Sequence, residues 1–138
     1  MKTSETLTNW KTPLEFCNRI RMKQLLDNGE LYIRFIDVSS GGKEFEYEFH
    51  FENFSAYRST DESYLNGLWS LRTEGIGYTF VINNSKWVKE LMIDPVFQDN
   101  CGGIIHYVVA TLDEGVEVLS KKPPIITPPH SGQVAGIN

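Results

Sequence analysis

The chain has only two cysteines, Cys17 and Cys101, far apart and without a companion at metal-ligand spacing. That rules out a multi-bridge disulfide framework and a thiolate zinc site. Two free thiols in a reducing compartment are the expectation, with a single Cys17–Cys101 bridge as the alternative. No run approaches the ~18 apolar residues of a membrane helix, and the first ten residues hold no apolar stretch of signal-peptide length. The chain therefore reads as soluble and cytoplasmic. Phosphate-binding glycine patterns are missing too: Gly75-Ile76-Gly77 and Gly102-Gly103 read as turns. Lys121-Lys122 is too short a basic run to hold nucleic acid.

What is present is apolar material and negative charge. Hydrophobic residues make up 41% of 138 residues and aromatics 12%, enough for one domain with a packed core. The net charge of −5 is uneven: residues 30–120 carry six Lys or Arg against fifteen Asp or Glu, whereas both flanks are slightly basic. So acidic a body repels nucleic acid and suits a basic partner.

The most regular stretch is residues 43–52, an alternation of period two. On a strand, Phe45, Tyr47, Phe49 and Phe51 fall on one face, and Glu44, Glu46, Glu48, His50 and Glu52 on the other. The aromatic face is a core face. The acidic face has three readings: a solvated sheet face, a recognition surface for a basic protein, or a metal site built on Glu46, Glu48 and His50. Residues 31–38 form a second strand, with Leu31, Ile33, Phe35 and Asp37 on one side. Ser39-Ser40-Gly41-Gly42 joins the two as an antiparallel hairpin.

Elsewhere the pattern predicts loose residues 1–11, then a helix opened by Thr12-Pro13-Leu14-Glu15 and carrying Cys17, Ile20 and Arg21; a strand over residues 19–26 is the alternative. Residues 53–67 read as a loop with one helical turn, 68–71 as a short strand, and 78–82 as another strand. Asn83-Asn84-Ser85 caps a helix bearing Trp87, Val88, Leu91 and Met92, which Asp94-Pro95 ends. Residues 104–110 and 116–119 are strands around Asp113-Glu114-Gly115. Proline density denies sheet pairing to residues 121–138, expected as an extended or disordered tail after a single domain of residues 1–120. The class is α+β: a curved antiparallel sheet of about five or six strands packed by one or two helices.

His106, inside an apolar strand, reads as a hydrogen-bonded core residue. A nucleophile–base pair of Cys101 and His106, oriented by Asp113, is a weaker alternative without an oxyanion-hole signature. Trp69, Trp87 and Trp10 are core or interface candidates, with Trp10 the most exposed of the three by expectation.

Residues 67–71, 80–88, 106–109 and 111–118 resemble a pattern in small acidic bacterial proteins grouped with the immunity proteins of polymorphic and contact-dependent toxins. The resemblance implies a single-domain cytoplasmic protein and carries over no toxin-contacting residue. Together with the charge it leads to one expectation: a non-enzymatic binding protein that neutralises a basic toxin domain, such as a nuclease, through an acidic surface. Glu44, Glu46, Glu48 and Glu52 would form that surface, with Asp61 and Glu62 on the following loop. No catalytic residue, cofactor, metal, nucleic acid or membrane is expected to take part. The alternative is a small-molecule- or metal-binding α+β protein, enzymatic or not, using His50 or His106.

Overall fold

The computed structural model describes residues 4–127, which fold as two antiparallel sheets with short helices. The hairpin at residues 31–51 follows from its turn chemistry. Gly41 and Gly42 sit at φ 46° and 89°, so both central residues of a two-residue loop adopt the left-handed region that glycine tolerates best. Strands β3 (Leu31–Ser40) and β4 (Lys43–Phe51) then pair Leu31 with Phe51, Ile33 with Phe49 and Phe35 with Tyr47, all on the inner face. Leu31, Ile33, Phe35, Phe49 and Phe51 are buried, and Phe45 and Tyr47 are half-buried. Strand β2 (Ile20–Asp27) flanks β3, and β9 (Ile125–Thr127) flanks β4, completing a four-stranded sheet.

The second sheet has the order β1 (Thr6–Asn9), β6 (Thr79–Asn83), β7 (Ile105–Ala110), β8 (Glu114–Ser120), β5 (Phe54–Asp61). Its inner face meets the first sheet through Tyr107, Val109, Val116 and Val118, which join Phe35, Phe49 and Phe51 in one core. Trp10 wedges between the sheets, 5.6 Å from the Phe49 ring and 4.7 Å from Tyr107. Its outer face is also covered. Phe80, Ile82, Val108 and Ala110 pack against Leu68 and Trp69, the latter on helix α1 (Asn66–Trp69). Beside them lies α2 (Lys86–Leu91), followed by α3 (Pro95–Asn100). Central strands covered on both faces explain the near-continuous apolar runs of β7 and β8. No helix among the described residues is long and apolar enough to cross a membrane.

The α+β class holds, with nine strands in two sheets among the described residues. Several local expectations are corrected. The helix from Thr12 is a single turn: Thr12 Oγ1 accepts the Leu14 N–H, but the Glu15 carbonyl is taken by the Tyr78 N–H at 2.6 Å, away from the helical ladder. The strand alternative for residues 19–26 is the one realised, as β2. Residues 54–61, read as loop, form an edge strand whose polar side faces solvent. Residues 68–71 hold no strand; Leu68 and Trp69 reach the second cluster from a helical turn. Residues 6–9 are strand β1, and Trp10 is half-buried against the core. Asp94-Pro95 ends α2 and also opens α3, because Asp94 accepts the N–H groups of Val96 and Phe97. In the tail, β9 pairs with β4 at a sheet edge between flanking prolines, where a missing N–H costs least. Residues 128–138 lie outside the described residues.

Gly77 permits the junction at Glu15. A Cβ there would lie 2.2 Å from the Glu15 carbonyl oxygen. Gly77→Ala is expected to lower stability by about 2 kcal/mol or more, through forced separation of the two backbones. Chemical denaturation of both proteins measures it; an unchanged midpoint would contradict the close approach.

Candidate functional site

A charged residue within the run Gly115–Ser120 must find partners, because an unpaired buried charge is prohibitively costly. Glu117 is 1% exposed on the outer face of β8. Arg58, its register partner on β5, clasps it with two bonds, Nε to Oε2 at 2.9 Å and a terminal nitrogen to Oε1 at 3.1 Å. His106 Nε2 on β7 lies 2.7 Å from Glu117 Oε1, and His106 Nδ1 lies 2.7 Å from Ser85 Oγ. Burial pushes the Glu117 carboxyl up, but the bonds and charges of His106 and Arg58 outweigh it and hold the carboxyl below its ordinary value. An ionised Glu117 only accepts, so His106 Nε2 carries a proton. Nδ1 shares its bond with the Ser85 hydroxyl. Ser85 in turn caps α2, its Oγ accepting the Val88 N–H at 3.1 Å. Trp87 closes the group, its ring edge-on to His106 at 5.3 Å and under the Arg58 guanidinium at 4.0 Å. The chain Ser85–His106–Glu117–Arg58 thus fastens α2 to three strands. His106 is the hydrogen-bonded core residue expected of it. Its partners are not Cys101 and Asp113: the Cys101 thiol donates to the Gln98 carbonyl, and Asp113 is exposed on a turn.

Ser85 and His106 also form part of the wall of a cleft of about 790 Å³, bounded by β6, the start of β7, α2 and the segment after β1. Its lining is mainly apolar, from Trp10, Val81, Val88, Met92, Ile104 and Ile105, with Lys11 and Lys89 at its margins.

The acidic row is less open than its alternation suggests. β4 is an interior strand, between β3 and β9. Glu46 is bridged by Lys23 at 2.9 Å and Arg34 at 3.5 Å, and Glu48 by Arg34 at 3.4 Å. His50 bonds Glu30 and stacks on Tyr32 at 4.2 Å. Glu46, Glu48 and His50 are thereby engaged separately, and no three His, Cys, Asp or Glu side chains among the described residues gather as a metal cage. Glu44 and Glu52 are exposed at opposite ends of β4. Cys17 and Cys101 are both free. Burial and the neighbouring Asp37, 3.2 Å away, push the Cys17 thiol up to about 11.

Asp61 and Glu62 belong to the other sheet, where they meet carboxylates the sequence did not single out for binding. Asp61 is the register partner of Glu114, and the Glu62 N–H donates to the Asp113 carbonyl at 3.0 Å. Both turns are tied internally: Asp61 accepts from the N–H and hydroxyl of Ser63, and Thr111 Oγ1 accepts the Asp113 and Glu114 N–H groups. On the same two turns Tyr64 is 79% exposed and Leu112 41%. None of the four carboxylates is in an ion pair among the described residues.

Sequence reasoning missed Ser85, Arg58 and Glu117 as a unit. The available signal was Glu117 itself, a lone charge in a valine-rich strand. Comparison with known protein families, with curated proteins and with solved structures finds no match to this chain.

Glu117 faces Arg58 from β5 and His106 from β7, and its folded carboxyl titrates below the ordinary 4.5. Its contribution is therefore complete above that value and is lost as pH falls through the lowered one. Glu117→Gln should be less stable at neutral pH and lose stability less steeply below about pH 4.5, whereas Glu117→Ala should cost about 3 kcal/mol by stranding both partners. Urea denaturation across pH 3–7 (roughly the range spanning that titration) reads both. Parallel acid limbs for wild type and Glu117→Gln would show that the carboxylate is not coupled to folding.

Proposed function

We propose that this protein is a non-enzymatic binding protein of the cytoplasm that acts as a bacterial immunity protein, covering a basic toxin domain such as a nuclease. The observation that carries the reading is the end of the five-stranded sheet, where the turns bearing Asp61, Glu62, Asp113 and Glu114 also carry the exposed Tyr64 and Leu112. Carboxylates outside ion pairs steer a cationic partner, and an exposed aromatic beside them supplies the anchor typical of tight interfaces. Turns already tied by Ser63 and Thr111 need little ordering on binding. The acidic row on β4 contributes less, because Lys23 and Arg34 offset Glu46 and Glu48. A nuclease bound here would have its phosphate-receiving cleft occupied by carboxylates or screened by the adjoining sheet.

The test begins with a pull-down from the source organism and continues with the captured protein purified. Glu62→Lys with Asp113→Lys should slow association about tenfold or more at low salt, with the difference shrinking at high salt. Tyr64→Ala should speed dissociation, and Glu46→Lys with Glu48→Lys should change binding much less. A partner that is not basic, or equal binding by the Glu62/Asp113 variant, would overturn the proposal.

The Ser85–His106 wall of the apolar cleft favours a second reading, in which the protein holds a small molecule.

A further inference from the structure

The cleft beside α2 has a one-sided chemistry. Its walls are aliphatic and aromatic, and its volume of about 790 Å³ falls within the range of small-molecule sites. The asparagine and serine side chains along it already have partners within the protein. The Asn9 amide donates to the Gly75 carbonyl, Asn83 to Thr6 and Thr8, and Asn84 to the Ser4 carbonyl. The Ser85 hydroxyl is directed to His106, whose other nitrogen is held by Glu117. Besides the Tyr107 hydroxyl and the Trp10 indole, the cleft is bordered by the ammonium groups of Lys11 and Lys89, contributed by different segments, and neither lysine is in an ion pair among the described residues. No Asp or Glu lines the cleft.

An apolar cavity bordered by two cations and no carboxylate discriminates by charge. A neutral apolar molecule fills the walls but makes no use of the ammoniums; a strongly polar anion pairs with the ammoniums but wastes the walls. We infer that the cleft binds an amphipathic organic anion, an aliphatic carboxylate whose chain lies along Val81, Val88, Met92, Ile104 and Ile105 and whose head group is taken by Lys11 and Lys89. This rests on the small-molecule reading above and is independent of the acidic end of the sheet. Cleft and acidic end lie at opposite ends of the β7–β8 hairpin.

Octanoate and octanol serve as probes, identical in chain and different in charge. Binding is followed by calorimetry and by tryptophan fluorescence, because Trp10 lines the cleft. Octanoate is expected to bind at least about tenfold more tightly than octanol, in keeping with a charged hydrogen bond of ~1.5–3 kcal/mol. Lys11→Gln and Lys89→Gln, both at exposed positions, should each weaken octanoate about tenfold and leave octanol unchanged. The fluorescence response should shrink in Trp10→Phe while the heat signal persists, the remainder coming from Trp87 against the His106 wall. Equal affinity for the two probes would overturn the charge preference and leave the small-molecule reading standing. No heat with either probe would overturn both. Octanoate binding left unchanged by both lysine variants would place the ligand elsewhere and overturn the assignment to this cleft.

Discussion

A fully buried carboxylate in the middle of a sheet is the constraint around which this molecule is arranged. Glu117 cannot remain charged in an apolar layer unless strongly paired, and its partners come from both neighbouring strands. Arg58 lies on β5 and His106 on β7, so satisfying one residue fixes the relative positions of three strands. The requirement passes on through His106 to Ser85, and so to the start of α2. Once α2 is placed, Trp87 covers the polar group, and Val88, Lys89 and Met92 become one side of the cleft. A polar network of this kind costs more than an apolar layer if any member is missing, which makes it a device for selecting one arrangement rather than for adding stability.

How far the sequence announces this structure depends on the range of the interaction. The hairpin of β3 and β4 was legible because alternation and a Gly-Gly turn are both local, and so was Ser85 as a helix cap. Neighbours brought in by the fold were not. The alternation of β4 sorts its side chains by face but is silent about what sits across from them. Arg34 lies opposite Glu48 only through the hairpin register. Lys23 reaches Glu46 from β2, next to a register shift between Met22 and Gln24. The Thr12 segment has every local mark of a helix start, and a single long-range bond from Tyr78 to the Glu15 carbonyl diverts it. Strand β5 was obscured for a different reason. An edge strand with one solvated face carries Ser55, Ser59 and Thr60, a composition that also suits a loop.

The same hairpin, β7–β8, organises the two surfaces of interest. At its turn, Leu112, Asp113 and Glu114 stand beside Asp61, Glu62 and Tyr64; at its open end, Ile105 and His106 border the cleft. Some six residues of strand, about 20 Å, separate them. One surface presents uncompensated negative charge with an aromatic side chain, and the other presents cations over an apolar floor. Their opposite character means that one ligand chemistry will not serve both.

The strands nearest the ends of the described chain pair with partners far away in sequence, and this bears on how the protein acquires its structure. Thr8 of β1 lies opposite Val81, and Ile126 of β9 opposite Phe49, each separated by more than seventy residues. Closing such long loops loses entropy before any contact compensates, so neither pairing can nucleate folding. The β3–β4 and β7–β8 hairpins, whose partners are close in sequence, are the natural starting points, with β1 and β9 zipping on last. Until they do, the free edges of β6 and β4 are exposed as templates for other chains. The interval before the two ends dock is therefore when a newly made chain is most prone to self-association, even though the strands that finally cover these two edges are only four and three residues long.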